Sequence, residues 1–170
     1  MAEVLMLVLR VLHVVGGAFW FGASVVVTVF LGPTVRSLGP EGGRFMTELV
    51  ERRRFAMFMT IAGDVTVLIG LALLGHNMAS EIWRASTYGQ VMMAGSATGM
   101  LALAVGHAVN APTAKKMTRL GAQMQAAGGA PSAEQRAELT RLQKRLHTGS
   151  VAGSLLLLLT VIAMASASQL

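Results

Sequence analysis

The 170-residue chain contains no cysteine, which removes disulfides, thiolate metal sites and the Cys-x-x-Cys-His attachment of c-type haem. Any haem would have to be held without a covalent link. Charge is also scarce, with 13% Asp, Glu, Lys and Arg against roughly 25% in ordinary soluble domains. The net charge of +6 would fit a nucleic-acid binder if basic side chains were arrayed over a soluble surface with base-reading or stacking groups. Here the basic residues sit between apolar stretches instead, so nucleic acid is not an expected partner. No helix-length segment alternates with a period of two, which excludes the strands of a membrane barrel.

Apolar residues fill the space that these absences leave. They make up 54% of the chain, and the mean hydropathy of +0.60 is too high for a soluble domain of this length. Four apolar runs are expected to be helices: about Val4 to Leu31, Ala56 to Gly75, Tyr88 to Val109 and Thr148 to Ala167. Each is at least as long as the 20 or so residues that cross a hydrocarbon core about 30 Å thick. The first is expected to end at Gly32 and Pro33 and the third near Pro112, because proline removes a donor and restricts the residue before it. The first is too long for a signal-peptide core and lacks a small-x-small cleavage site, so it reads as a retained helix. The expected fold is all-α, one integral membrane domain over residues 1–170, with the lipid bilayer as its main partner.

Orientation follows from lysine and arginine, which concentrate in cytoplasmic loops. Arg36, Arg44, Arg52, Arg53 and Arg54 fall between runs one and two. Lys115, Lys116, Arg119, Arg136, Arg141, Lys144 and Arg145 fall between runs three and four. The opposite side has Arg84, Arg10 near the start of run one, and an uncharged tail, Ser166 to Leu170. Both termini are therefore expected outside the cytoplasm. Within 111–146, Met117, Leu120 and Met124 recur at helical spacing, as do Leu139, Leu142 and Leu146. Gly128, Gly129, Ala130 and Pro131 form a turn signal, and Ser132 with Gln135 forms a capping box. Runs three and four thus read as long helices projecting into the cytoplasm as a hairpin; the same basic residues would also suit an amphipathic hairpin lying on anionic lipid.

The four histidines sort into two pairs by depth: His13 with His76 on the outer side, His107 with His147 on the cytoplasmic side. Imidazole commonly ligates haem iron, and bundles build cofactor sites from facing helices, so bis-histidine ligation by either pair is chemically open. The plainer alternative is an interfacial histidine bonded to water or a carbonyl. His13 stands apart because Gly17 and Trp20 share its helical face: glycine leaves room for a flat macrocycle and tryptophan adds an apolar wall. Gly16, Gly17 and Gly22 also suit close helix packing, as does Gly95-x-x-x-Gly99 in the third run.

Asp64 lies mid-run, where an unpaired carboxylate is costly. The expected partner is Arg10, in an intramembrane polar pair; a bond to His13, or to Thr60, Thr66 or a neighbouring helix, is the other reading. The twelve methionines read mainly as apolar filler, with copper handling as the competing use.

The stretch Leu12 to Gly22, LHVVGGAFWFG, resembles the first-helix signature of a group of small bacterial membrane proteins, LH-x6-W-x-G. The group includes the copper-resistance D (CopD) domain and the HemJ-type protoporphyrinogen oxidases. The resemblance implies residence in a bacterial inner membrane and a haem-binding role for His13. The functional third-span lysine of HemJ-like proteins has no counterpart; Gln90 is the nearest polar residue there. The expected function is therefore a b-type haem protein in electron transfer or haem-linked redox chemistry, ligated by His13 and His76. Alternatives are a cofactor-free accessory subunit of a larger membrane complex, CopD-like copper transfer, and HemJ-like oxidation. Other subunits or a homo-oligomer remain open as partners.

Overall fold

A computed structural model describes residues 1–128, 130–167 and 169 of the chain, and the side chains of all of these except Ala2 and Pro40. Gly129 of the expected turn and Ser168 and Leu170 of the tail lie outside the described residues. Helices account for nearly all of what is described, with no strand among it.

The first helix does not stop at Gly32 and Pro33. Helix α1 (Ala2–Val25) passes through a π-helical turn (Val26–Leu31) directly into α2 (Gly32–Ser37). In that turn the Gly32 N–H bonds the Val27 carbonyl five residues back, so the hydrogen-bond register has already slipped where Pro33 lacks a donor. The third run repeats the device. Helix α6 (Thr87–Val105) leads through a π-helical turn (Gly106–Asn110), where the Ala111 N–H bonds the Gly106 carbonyl, into α7 (Ala111–Ala126), which carries Pro112 in its first turn. Both prolines sit two residues after a π-helical turn, and both helices run on.

Between these lie α3 (Pro40–Thr47), a further π-helical turn (Glu48–Arg52), α4 (Phe55–Met78) and the short α5 (Glu81–Ala85). Gly39 and Arg54, both at positive φ (55° and 53°) and Arg54 in the left-handed helical conformation, start α3 and α4. Ser80 and Ser86 cap α5 and α6 by accepting from the Trp83 and Gly89 amides at 3.2 and 3.0 Å. Helix α8 (Ala133–Ala167) opens on the expected capping box: Ser132 N–H donates to Gln135 Oε1 at 2.9 Å, and Gln135 N–H to Ser132 Oγ at 3.1 Å.

Four helical stretches, Glu3–Ser37, Phe55–Met78, Thr87–Ala126 and Ala133–Ala167, are long and apolar enough to cross a membrane. No more than 11% of the most apolar window of any of them is buried within the protein. Leu7, Val14, Phe30, Leu68, Leu101, Leu155 and Ile162 all face outward. An apolar exterior on this scale would precipitate a soluble protein and is what lipid requires. The chain has the character of a multi-pass membrane protein.

Helix α1 packs chiefly on α4, and α6 on α8, with lighter contact between these two pairs. Small residues set both close approaches. A Cβ at Gly95 would stand 3.2 Å from Ala163 Cβ, and one at Gly99 3.4 Å from Thr160 Cγ2, so the GxxxG face is the α6–α8 seam. Thr98 and Thr160 hydroxyls, 2.8 Å apart, bond across it. In the other pair Gly16 lies against Thr66, and Gly63 leaves the space into which the Trp20 indole packs. Trp20, Ala102 and Leu157 form the small buried core, one from each of three spanning stretches, and Gly63 completes it from the fourth.

Candidate functional site

The lighter contact between the helix pairs leaves two cavities, and Trp20 and Leu157 form part of the wall of each. One lies on the His13 side of Trp20. It encloses about 480 Å³ and is walled mainly by apolar atoms. Its surface includes His13, Gly17, Gly70, Gly99, Met100 and Met164. The other, about 220 Å³, extends toward the end of the bundle that carries the arginine-rich connections, and is edged by Ser24, Thr28, His107, Asn110, Ser150 and Ser154.

The His13 ring is held by backbone. Its Nδ1 lies 2.9 Å from the Thr66 carbonyl oxygen, which can only accept, so Nδ1 carries the proton and donates. Nε2 of the neutral ring is then a lone-pair donor, and no described protein group bonds it. Room for this arrangement comes from Gly70, one turn after Thr66: a Cβ there would stand 2.7 Å from His13 Cε1. Glycine is needed at position 70 because the imidazole lies over the turn that begins at the Thr66 carbonyl. Gly17 and Trp20, expected on the His13 face, do line the same cavity. Thr66 is 5% exposed, and its hydroxyl, pressed against Gly16, has no hydrogen-bond partner among the described residues.

The other expected residues are distributed differently. His76 is exposed near the end of α4, six residues past Gly70 and so about 9 Å further along the helix, and it lines neither cavity. His147 lies in a separate pocket of about 130 Å³ with Val35, Arg36 and Leu49, apart from His107. No group of three or more His, Cys, Asp or Glu side chains converges among the described residues.

Asp64 pairs with His107, not with Arg10. Its Oδ1 lies 2.7 Å from His107 Nε2, joining α4 to the π-helical turn that follows α6. The register of α1 against α4, Gly16 opposite Thr66 and Trp20 opposite Gly63, explains the correction. It puts Arg10 level with about Ala72, some 12 Å along α4 from Asp64. Arg10 is exposed and forms no ion pair among the described residues. Thr60 bonds the Ala56 carbonyl at 2.9 Å, so it does not serve Asp64 either. The signal for the true pair was present in the sequence: residues 55–75 hold no ionisable side chain but Asp64, and residues 89–114 none but His107.

Fold and surface together define the class: an α-helical membrane protein with a histidine-bearing apolar cavity and an intramembrane Asp–His pair. Comparison of the chain with protein-family models, with curated proteins and with solved structures finds no match.

Proposed function

We propose that this chain is a b-type haem-binding protein of a bacterial inner membrane, with His13 as iron ligand and a role in electron transfer. The observation that carries this reading is the His13 ring. Its Nδ1 is committed to the Thr66 carbonyl at 2.9 Å, and its Nε2 is left as a free donor beside a largely apolar cavity. A histidine that ligates a metal usually donates its other ring N–H in this way, which fixes both tautomer and orientation. The volume of about 480 Å³ lies within the roughly 300–1,000 Å³ of small-molecule and cofactor sites. Gly17, Gly70 and Gly99 in the wall add little bulk, which suits a flat macrocycle. Haem bound there would supply one-electron redox chemistry. His13 would hold the iron, Thr66 would orient His13, and Trp20 with Leu157 would close the floor. The exposed position of His76, outside the cavity, does not favour it as second ligand; Met100 and Met164 bring the thioethers within the cavity wall.

The orientation that goes with this reading is N-out/C-out, supported by the basic residues of 36–54 and 115–145. Helix α7 and the first half of α8, which lie side by side, then form a cytoplasmic hairpin. The His13 cavity lies toward the non-cytoplasmic face.

The test is an absorption spectrum of the protein purified in detergent after expression with adequate haem. A Soret band and b-type reduced bands are expected, lost in His13→Ala and retained in His76→Ala. Haem-replete wild type without a Soret band would sink the proposal. Copper is the second reading, favoured by the His13 imidazole and the Met100 and Met164 thioethers around one cavity, a donor set that suits Cu(I). Metal analysis of the same sample separates the two.

A further inference from the structure

Between the basic connections and the level of His13, the four spanning stretches are almost devoid of charge. Residues 14–35 and 148–167 contain no ionisable side chain, and 55–75 and 89–114 contain one each, Asp64 and His107. These two residues, 43 positions apart in sequence, meet at 2.7 Å. Two isolated ionisable groups on different membrane helices are each costly, and such groups characteristically mark ion or proton paths.

Three features of the surroundings add to this. Both side chains keep nearly half their surface open, 49% for His107 and 40% for Asp64, so neither is sealed in protein. His107 borders the cavity that extends toward the basic end, together with the hydroxyls of Ser24, Thr28, Ser150 and Ser154 and the amide of Asn110. Such groups hold water, and hydrogen-bonded chains carry protons. The cavity stops at Trp20, Ala102 and Leu157, which separate it from the His13 cavity. His107 also sits in a π-helical turn, an irregularity often found at functional positions.

We propose that Asp64 and His107 form an intramembrane proton-binding site that exchanges its proton with the basic end of the bundle through this cavity. The loaded site is aspartate with imidazolium, net neutral. Release of one proton from the imidazole leaves aspartate with neutral imidazole, the Nε2–H still donated to Asp64. Among the described residues no other titratable group borders the cavity: its polar side chains besides His107 are Ser24, Thr28, Thr60, Asn110, Ser150 and Ser154, and the other ionisable side chains of α4 and α6, His76 and Tyr88, lie 12 residues from Asp64 and 19 residues from His107. The site stands whatever occupies the His13 cavity.

The test is nitrogen solid-state NMR of the full chain labelled with 15N-histidine, in vesicles of phosphatidylcholine and phosphatidylglycerol, from about pH 5 to about pH 9. The His107 signal is assigned by its absence from His107→Gln. In the wild type it is expected to pass from imidazolium to neutral imidazole over this range. At the wild-type midpoint Asp64→Asn should hold at least tenfold less imidazolium relative to neutral ring, and Asp64→Glu should restore it. A His107 ring that keeps one charge state throughout, or titrates identically in wild type and Asp64→Asn, overturns the proposal; should Asp64→Asn fail to fold, the wild-type titration alone decides. The route is tested by Gly153→Leu, whose side chain enters open space in the cavity wall. It should slow proton exchange at His107 at least tenfold, and unchanged exchange refutes entry through this cavity.

Discussion

Replacing Gly70 by alanine tests whether the His13 ring is positioned for ligation. The added Cβ would stand 2.7 Å from His13 Cε1 and 3.2 Å from Nδ1. Carbon atoms pack best at about 3.5–4.0 Å, so the ring must withdraw by roughly 0.8 Å. His13 can do this, because it is the mobile end of a side chain with two torsions, but only by stretching its 2.9 Å bond to the Thr66 carbonyl toward about 3.5 Å, where a hydrogen bond is effectively lost. The lost bond costs about 1 kcal/mol, and alanine returns about 1 kcal/mol in helix propensity, so stability should change little. Ligand orientation should change a great deal. Loss of a partner that orients a ligating histidine weakens metal binding by about 10–100-fold.

The assay is a haem titration of detergent-purified apoprotein followed at the Soret band, with Gly75→Ala as control on the same helix, where a Cβ meets nothing within 4 Å. Gly70→Ala should bind haem about 10–100-fold more weakly than wild type, and Gly75→Ala should match wild type. Equal affinity in the two variants would refute the reasoning, because it would mean that the Thr66 bond has no part in haem binding.

Trp20→Ala should merge the two cavities and destabilise the protein by about 3–5 kcal/mol, read as a lower unfolding midpoint in detergent, since the indole is 8% exposed and central to the core. Gly95→Val should loosen the α6–α8 seam at a cost of about 1–3 kcal/mol, because even its Cβ would stand 3.2 Å from both Ala163 Cβ and Met164 Cγ; the same unfolding assay checks it. Pro33→Ala and Pro112→Ala should each change stability by no more than about 1 kcal/mol, against the roughly 3 kcal/mol that proline costs in an uninterrupted helix, because a π-helical turn already precedes each. A gain near 3 kcal/mol in either would show that the turns do not accommodate the prolines.

Composition and local pattern settle part of this protein. Four apolar runs in a chain with little charge form helices wherever they pack, because in lipid every backbone N–H and C=O must bond within its own segment. The Ser132–Gln135 capping box forms as read, because it depends on residues three apart. The glycines at 95 and 99 announce a close helix contact for the same local reason. Prolines 33 and 112 misled, since a slipped hydrogen-bond register upstream has no reliable sequence mark. Taking Pro112 as the end of the third helix also put His107 too near that end to meet a residue at the depth of Asp64.

Tertiary structure decided the pairings. Which histidine meets a carbonyl, and which carboxylate meets an imidazole, depends on axial register and rotation between helices. Both are set by Gly16 against Thr66 and Trp20 against Gly63 in one pair, and by Gly95 and Gly99 against α8 in the other. A shift of one turn, about 5.4 Å, would exchange every partner while leaving the hydropathy profile unchanged. The sequence therefore determines that this chain is helical and suited to a membrane, and packing between its helices determines that His13 bonds Thr66 and that Asp64 bonds His107.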